Sequence, residues 1–147
     1  MAILLPTTTI TTAAAGVVGS VFQLRGNPGQ RTLPCSLSAQ ANFAWGSGGT
    51  TLVVWVQTSL DGGTTWCDAI IFAFTTAILR QIATVNSTKI AATDAVVTPT
   101  DGAGSANAVN DGIFGPLWRV KYTSTGTYAG GSTITVNAFS NGLVPSP

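Results

Sequence analysis

Alternation is the property of this sequence that most narrows its fold. From Leu33 to Phe43 the odd positions are Leu33, Cys35, Leu37, Ala39, Ala41 and Phe43, while the even positions from Ser36 to Asn42 are polar. Successive side chains of an extended chain point to opposite faces, so a period of two puts one face on a core and the other in water. Trp118, Val120 and Tyr122 alternate in the same way with Arg119, Lys121 and Thr123, and Ile134, Val136 and Ala138 with Thr133, Thr135 and Asn137. A shorter strand carries Phe22 and Leu24 on one side and Gln23 and Arg25 on the other. Leu52 to Val56 and Ala69 to Phe74 are apolar on both sides, which marks central strands or strands covered by another subunit. A further strand is expected from Ile78 to Val85, a surface loop from Ala103 to Asn110, and a short helix, weakly signalled, from Thr88 to Ala95.

Turn signals separate these strands at Gly26-Asn27-Pro28-Gly29, Gly46 to Gly49 and Gly130-Gly131. Seven or eight such strands predict an all-β fold, a single-domain antiparallel β-sandwich of jelly-roll or immunoglobulin-like type. A chain of 147 residues buries roughly 70% of its unfolded surface, enough for one core. The sandwich is expected to span residues 17–142. Residues 1–16, rich in Thr and Ala, read as an extended N-terminal arm that is mobile or laid on a neighbouring subunit. Residues 143–147, ending in Pro145-Ser146-Pro147, read as a tail.

Charge sets the next limit. Charged residues make up 7% of the chain, against about 25% in typical soluble domains. The outer faces must therefore be built from Thr, Ser, Asn, Gln and Gly. Little charge repulsion keeps copies of such a protein apart, which favours close contact with neighbours. The six basic residues, Arg25, Arg31, Arg80, Lys89, Arg119 and Lys121, are scattered, and nucleic-acid binding calls for a cluster. No apolar run approaches the roughly 20 residues of a membrane-spanning helix. The N-terminus has no charged region before its apolar residues and does not read as a signal peptide. Cys35 and Cys67 fit no zinc spacing and are expected to be free thiols, each on a strand.

Catalysis finds little to work with. The chain contains no histidine, so histidine-based triads and histidine metal ligands are ruled out. Its five carboxylates are Asp61, Asp68, Asp94, Asp101 and Asp111. Two well-placed carboxylates suffice for a glycosidase, but Asp61 belongs to a turn and Asp94, Asp101 and Asp111 fall in expected loops. The spacing of Asp101 and Asp111 does not fit an EF-hand, and Gly102-Ala103-Gly104-Ser105-Ala106-Asn107 lacks the last glycine of a dinucleotide loop. The expectation is a non-enzyme with no cofactor and no metal.

One motif is sharp. Ser59-Leu60-Asp61-Gly62-Gly63-Thr64-Thr65-Trp66 fits S-x-D-x-G-x-T-W at every fixed position. Asp61 can accept backbone N–H groups within the turn, Gly62 and Gly63 permit positive φ, and Trp66 can cover the turn's base. The segment resembles the Asp-box hairpin of sialidase propellers, where the boxes lie away from the catalytic site. The implied role for Ser59, Asp61, Gly63, Thr65 and Trp66 is structural. One box in 147 residues does not make a propeller.

The wider stretch from Val54 to Asp68 is similar to a recurrent hairpin of small tailed-bacteriophage virion proteins, and Leu117 to Thr127 to a later strand of the same proteins. That resemblance implies a structural part of a phage particle, made in the bacterial host cytoplasm. The favoured role is a capsid decoration (cement) protein that binds the major capsid protein and forms a homo-oligomer, with a trimer expected. The alternative is a carbohydrate-binding head-fibre or tail module, with Trp45 as the sugar-stacking residue.

Overall fold

The computed structural model describes residues 1–24, 35–88 and 96–140, and the backbone of 143–145. Twelve strands are present among the described residues. The first four are β1 (Ala2–Thr9), β2 (Ala14–Val18), β3 (Phe22–Leu24) and β4 (Ser36–Ala44). Next come β5 (Ser47–Gly48), β6 (Thr51–Ser59), β7 (Cys67–Phe74) and β8 (Leu79–Asn86). The last four are β9 (Leu117–Thr125), β10 (Tyr128–Ala129), β11 (Thr133–Phe139) and β12 (Leu143–Pro145).

They form an all-β sandwich of antiparallel sheets. The first sheet has the order β1-β11-β4-β8 and the second the order β12-β3-β9-β6-β7, with β2 paired to β9 beside β3. A two-stranded ribbon of β10 and β5 closes one end. The β6–β7 hairpin and the β2-to-β3 connection stay within the second sheet; the connections from β4 to β6, β7 to β8, β8 to β9 and β9 to β11 all change sheets. Residues distant in sequence therefore face one another across the core. Phe43 of β4 meets Phe74 of β7 with ring centroids 5.5 Å apart, and Tyr128 stands edge-on to Phe43 at 6.1 Å.

The alternating strands bury the side that their pattern assigns. Leu37, Ala39, Ala41 and Phe43 are buried, as are Trp118, Val120 and Tyr122, Ile134, Val136 and Ala138, and Phe22 with Leu24. The two wholly apolar segments become β6 and β7. β6 is central, between β9 and β7. β7 lies at the edge of its sheet; residues 100–104 lie over its outer face at Asp68 and Ile71, and residues 108–110 pair along its free edge. The Ile71 N–H bonds to the Ala108 carbonyl and the Asn110 N–H to the Ala69 carbonyl, each near 2.9 Å.

Four expectations need correction. Leu143–Pro145, expected in a tail, form β12 beside β3. Residues 1–16 are no detached arm: β1 pairs with β11, β2 pairs with β9, and Leu4, Leu5 and Ile10 lie in the core. A register shift between Ile3 and Leu5 places an extra residue in β1, so both consecutive leucines turn inward. The sandwich accordingly begins at Ala2 instead of residue 17. Cys35 precedes β4, which begins at Ser36, and is exposed; Cys67 is buried, and both thiols are free. Leu33, Arg25, the turn at 26–29 and the Lys89–Ala95 part of the expected helix lie outside the described residues.

Candidate functional site

Two outer faces offer themselves for function, one on each sheet. The bulge at Val56 and Gln57 inserts Ala69 into β7 and sets Asp68 opposite Gln57, while Gln57 also faces Arg119 on β9. A row Arg119–Gln57–Asp68 thus crosses three strands on the outside of the second sheet. Arg119 Nε donates to Gln57 Oε1 at 2.8 Å, and Gln57 Nε2 donates to Asp68 Oδ1 at 2.7 Å.

Asp68 is 1% exposed, and a buried carboxylate requires donors. The loop supplies them. Thr100 Oγ1 donates at 2.6 Å, the Gly102 N–H at 2.9 Å and the Gly104 N–H at 2.9 Å. With Gln57 these donors take up about four lone-pair positions, the full capacity of a carboxylate. Asp68 is therefore a clamp for residues 100–104, with no lone pair left to take a substrate proton.

Asp101 closes the row from above. Its carboxylate receives Arg119 at 2.8 Å and Lys121 at 3.1 Å. Partial burial works to raise the Asp101 carboxyl, but hydrogen bonds from Lys121 and Gln57 and the charges of Lys121 and Arg119 outweigh it. The net result lies below the ordinary value. The Arg119 guanidinium also lies 4.1 Å from the Trp66 ring centroid, a cation–π contact. Trp66 thereby joins the hairpin to the loop.

Within the hairpin, Asp61 accepts the Thr65 N–H at 2.9 Å and the Thr65 hydroxyl at 2.7 Å, and Ser59 Oγ donates to it at 2.9 Å. These bonds, Thr65's first, lower the Asp61 carboxyl to about 2. The Gly63 N–H donates to Ser59 Oγ, and Trp66 Nε1 to the Gly63 carbonyl at 3.0 Å. Gly62 and Gly63 have φ of 73° and 94°, conformations that suit glycine. Gly115 passes so close to the hairpin's base that a Cβ there would collide with the Ser59 carbonyl. All five motif residues are used by the turn itself.

A cleft of about 560 Å³ opens between the loop and β7, bordered by Cys67, Asp68, Thr100, Gly104, Asn110 and Asp111. Burial, then the charges of Asp68 and Asp61, push the Cys67 thiol up, so it stays protonated and is a poor nucleophile. Asp111 Oδ1 is occupied by the Asn86 N–H at 2.6 Å. Among the described residues no three His, Cys, Asp or Glu side chains converge on a metal position. Trp45 is half-buried, packs against the core, and donates its indole N–H to the Gly48 carbonyl at 2.9 Å.

The outer face of the first sheet is different. It carries Ser36, Ser38, Gln40 and Asn42 from β4, Thr133, Thr135 and Asn137 from β11, and Thr84 from β8. Among them stand Ile82 at 68% exposure, Phe139 at 60% and Ile3 at 51%. The register sets Ile3 beside Asn137, Asn137 beside Gln40 and Gln40 beside Ile82. Arg80 is the charged side chain of this face among the described residues, and its Nε donates to Asn42 Oδ1 at 2.7 Å. One sheet is thus covered by the chain itself, and the other is left open with apolar side chains in water.

Sequence reasoning missed the Asp68 clamp. The available signal was an aspartate directly before a fully apolar strand, where it is buried unless the chain ends there. Exposed Ile82 was legible as an outward position only once the strand register was known. Comparison with protein-family models, with curated proteins and with solved structures returns no match for this chain.

Proposed function

We propose that this chain is a structural component of a bacteriophage virion, a decoration protein that stabilises the capsid shell through contacts between subunits. The observation that carries the reading is the open face of the first sheet, with Ile3, Ile82 and Phe139 exposed among hydroxyl and amide side chains and, among the described residues, a single charge at Arg80. Exposed apolar groups on a flat, weakly charged sheet are suited to burial against another protein. The carboxylates of the other face are taken up in holding the loop and hairpin, which fits a rigid building block better than an enzyme. The likeness of residues 54–68 and 117–127 to phage virion hairpins supplies the setting.

The role requires no chemistry. Burying apolar and backbone surface across joints between capsid subunits raises the free energy needed to separate them. Particles released from cells that carry this gene, purified and analysed by mass spectrometry, are expected to contain the chain in many copies. Particles that lack it end the reading. Phe139→Lys is expected to lower occupancy of the particle at least tenfold without unfolding the sandwich, because Phe139 is 60% exposed and stands outside the buried core.

A further inference from the structure

We infer that β8 is a pairing edge through which two copies of this chain join their four-stranded sheets into one continuous sheet. The inference deepens the assembly reading by naming the edge and the partner. Sheet edges in native proteins are blunted by prolines, bulges, charges or covering segments. Three of the edges here follow that pattern or are occupied. β1 carries Pro6 and two register shifts. β7 is covered by residues 108–110, and β3 is extended by β12.

Among the described residues, β8 lacks the proline, the bulge and, from Arg80 to Thr84, the covering segment; Arg80 is its one charge. The strand runs in unbroken register with β4 from Leu79 to Asn86. The Ser87 N–H bonds to the Cys35 carbonyl, which fixes the parity of the ladder: residues 79, 81, 83 and 85 bond to β4, and residues 80, 82, 84 and 86 turn their N–H and C=O groups away. At Asn86 those groups are taken by Asp111 and Gly112. Arg80, Ile82 and Thr84 remain open, among the described residues. Exposed apolar side chains gather at the same place: Ile78 at 73%, Ile82 at 68% and Leu79 at 45%.

A second copy fits this edge because the edge is its own complement. Antiparallel pairing about a two-fold axis at Ile82 sets Ile82 against Ile82 and Arg80 against Thr84 of the other copy, so the two like charges never face each other. An isologous contact of this kind closes at two subunits, in place of the trimer expected from the sequence. Three facing pairs form about six N–H···O bonds, and the two isoleucines cover one another on the outer face. Such a contact is smaller than the roughly 1,600 Å² of a standard interface. Its dissociation constant is accordingly expected at tens of micromolar or weaker, effective where a shell holds copies close together.

Sedimentation equilibrium of the full chain from about 10 to 1,000 µM tests this directly. The wild type is expected to pass from monomer to dimer, while the amides of Arg80, Ile82 and Thr84 gain hydrogen-exchange protection with concentration. Ile82→Pro removes an N–H that β4 does not use, so the variant folds, and it is expected to weaken dimerisation at least tenfold. Ile82→Lys places like charges on the axis and has the same effect, whereas Phe139→Lys in mid-sheet leaves the dimer unchanged. A wild type that stays monomeric throughout, a trimer, or a dimer indifferent to both Ile82 variants overturns the inference. A monomeric wild type whose Ile82→Pro variant is lost from particles also overturns it, in favour of a strand from another protein. Absence of the chain from particles removes the virion role and leaves a measured dimer standing, so the two claims fail separately.

Discussion

Asp61 and Asp68 lie seven residues apart and do opposite things with a carboxylate. Asp61 is exposed and anchors a turn; its charged form is favoured by the N–H and hydroxyl of Thr65 and by Ser59. Because its folded value is depressed to about 2, its contribution to stability is complete above the ordinary carboxylate range near 4 and is lost as pH falls from there through about 2. Carbon-detected NMR titration is expected to place the Asp61 midpoint near 2, and a midpoint near 4 would sink the hydrogen-bonded assignment. Asp68 is buried and holds a loop. Asp68→Ala strands the N–H groups of Gly102 and Gly104 and the side chains of Gln57 and Thr100, with an expected loss of about 2–4 kcal/mol in urea unfolding. Asp68→Asn keeps one acceptor oxygen and is expected to lose less. A loss in the alanine variant below about 0.5 kcal/mol, the scale of an ordinary surface substitution, would show that the clamp does not hold the loop.

β1 shows how an element's neighbours decide its role. A Thr-rich strand cannot bury a face alone, yet Leu4 and Leu5 turn under the sandwich because the bulge brings both inward and β11 offers an edge. Removing residues 1–9 is therefore expected to prevent stable folding, beyond any effect on partner binding. Leu4→Ala, at a position 1% exposed, is expected to cost about 2–5 kcal/mol. Circular dichroism and thermal melting of the truncated chain check the first point, and a truncated chain with wild-type melting would return β1 to the status of an arm. β7 makes the converse case. Its doubly apolar pattern was equally compatible with a central strand, a neighbouring subunit or, as found, a long loop of the same chain laid over an edge.

At the scale of the whole molecule, the core depends on packing between sheets and owes nothing to a covalent tie. Cys35 is exposed, Cys67 is buried and both are free, so the melting temperature is expected to be the same with and without reductant. A fall in reductant would reveal a disulfide. The two faces also divide the work: one sheet is closed by its own loop through Asp68, Asp101 and Arg119, and the other stays open at Ile3, Ile82 and Phe139. In the proposed assembly that asymmetry assigns the open face to partners, and the β8 edge gives that face a direction in which to extend.

Local pattern determined a good deal by itself. The side of each strand that faces the core follows from period-two alternation, because neighbouring side chains on an extended backbone must point opposite ways; β4, β9 and β11 could be oriented residue by residue. The hairpin at 59–66 was legible for a similar reason, since its glycines, aspartate and tryptophan act within eight residues. Pairing was not legible. Which strands lie side by side, that β1 joins β11 across more than a hundred residues, and that Gln57, Asp68, Asp101 and Arg119 converge are set by long-range packing. Contacts of that kind leave no period in a single sequence, and only the assembled sheets bring them together.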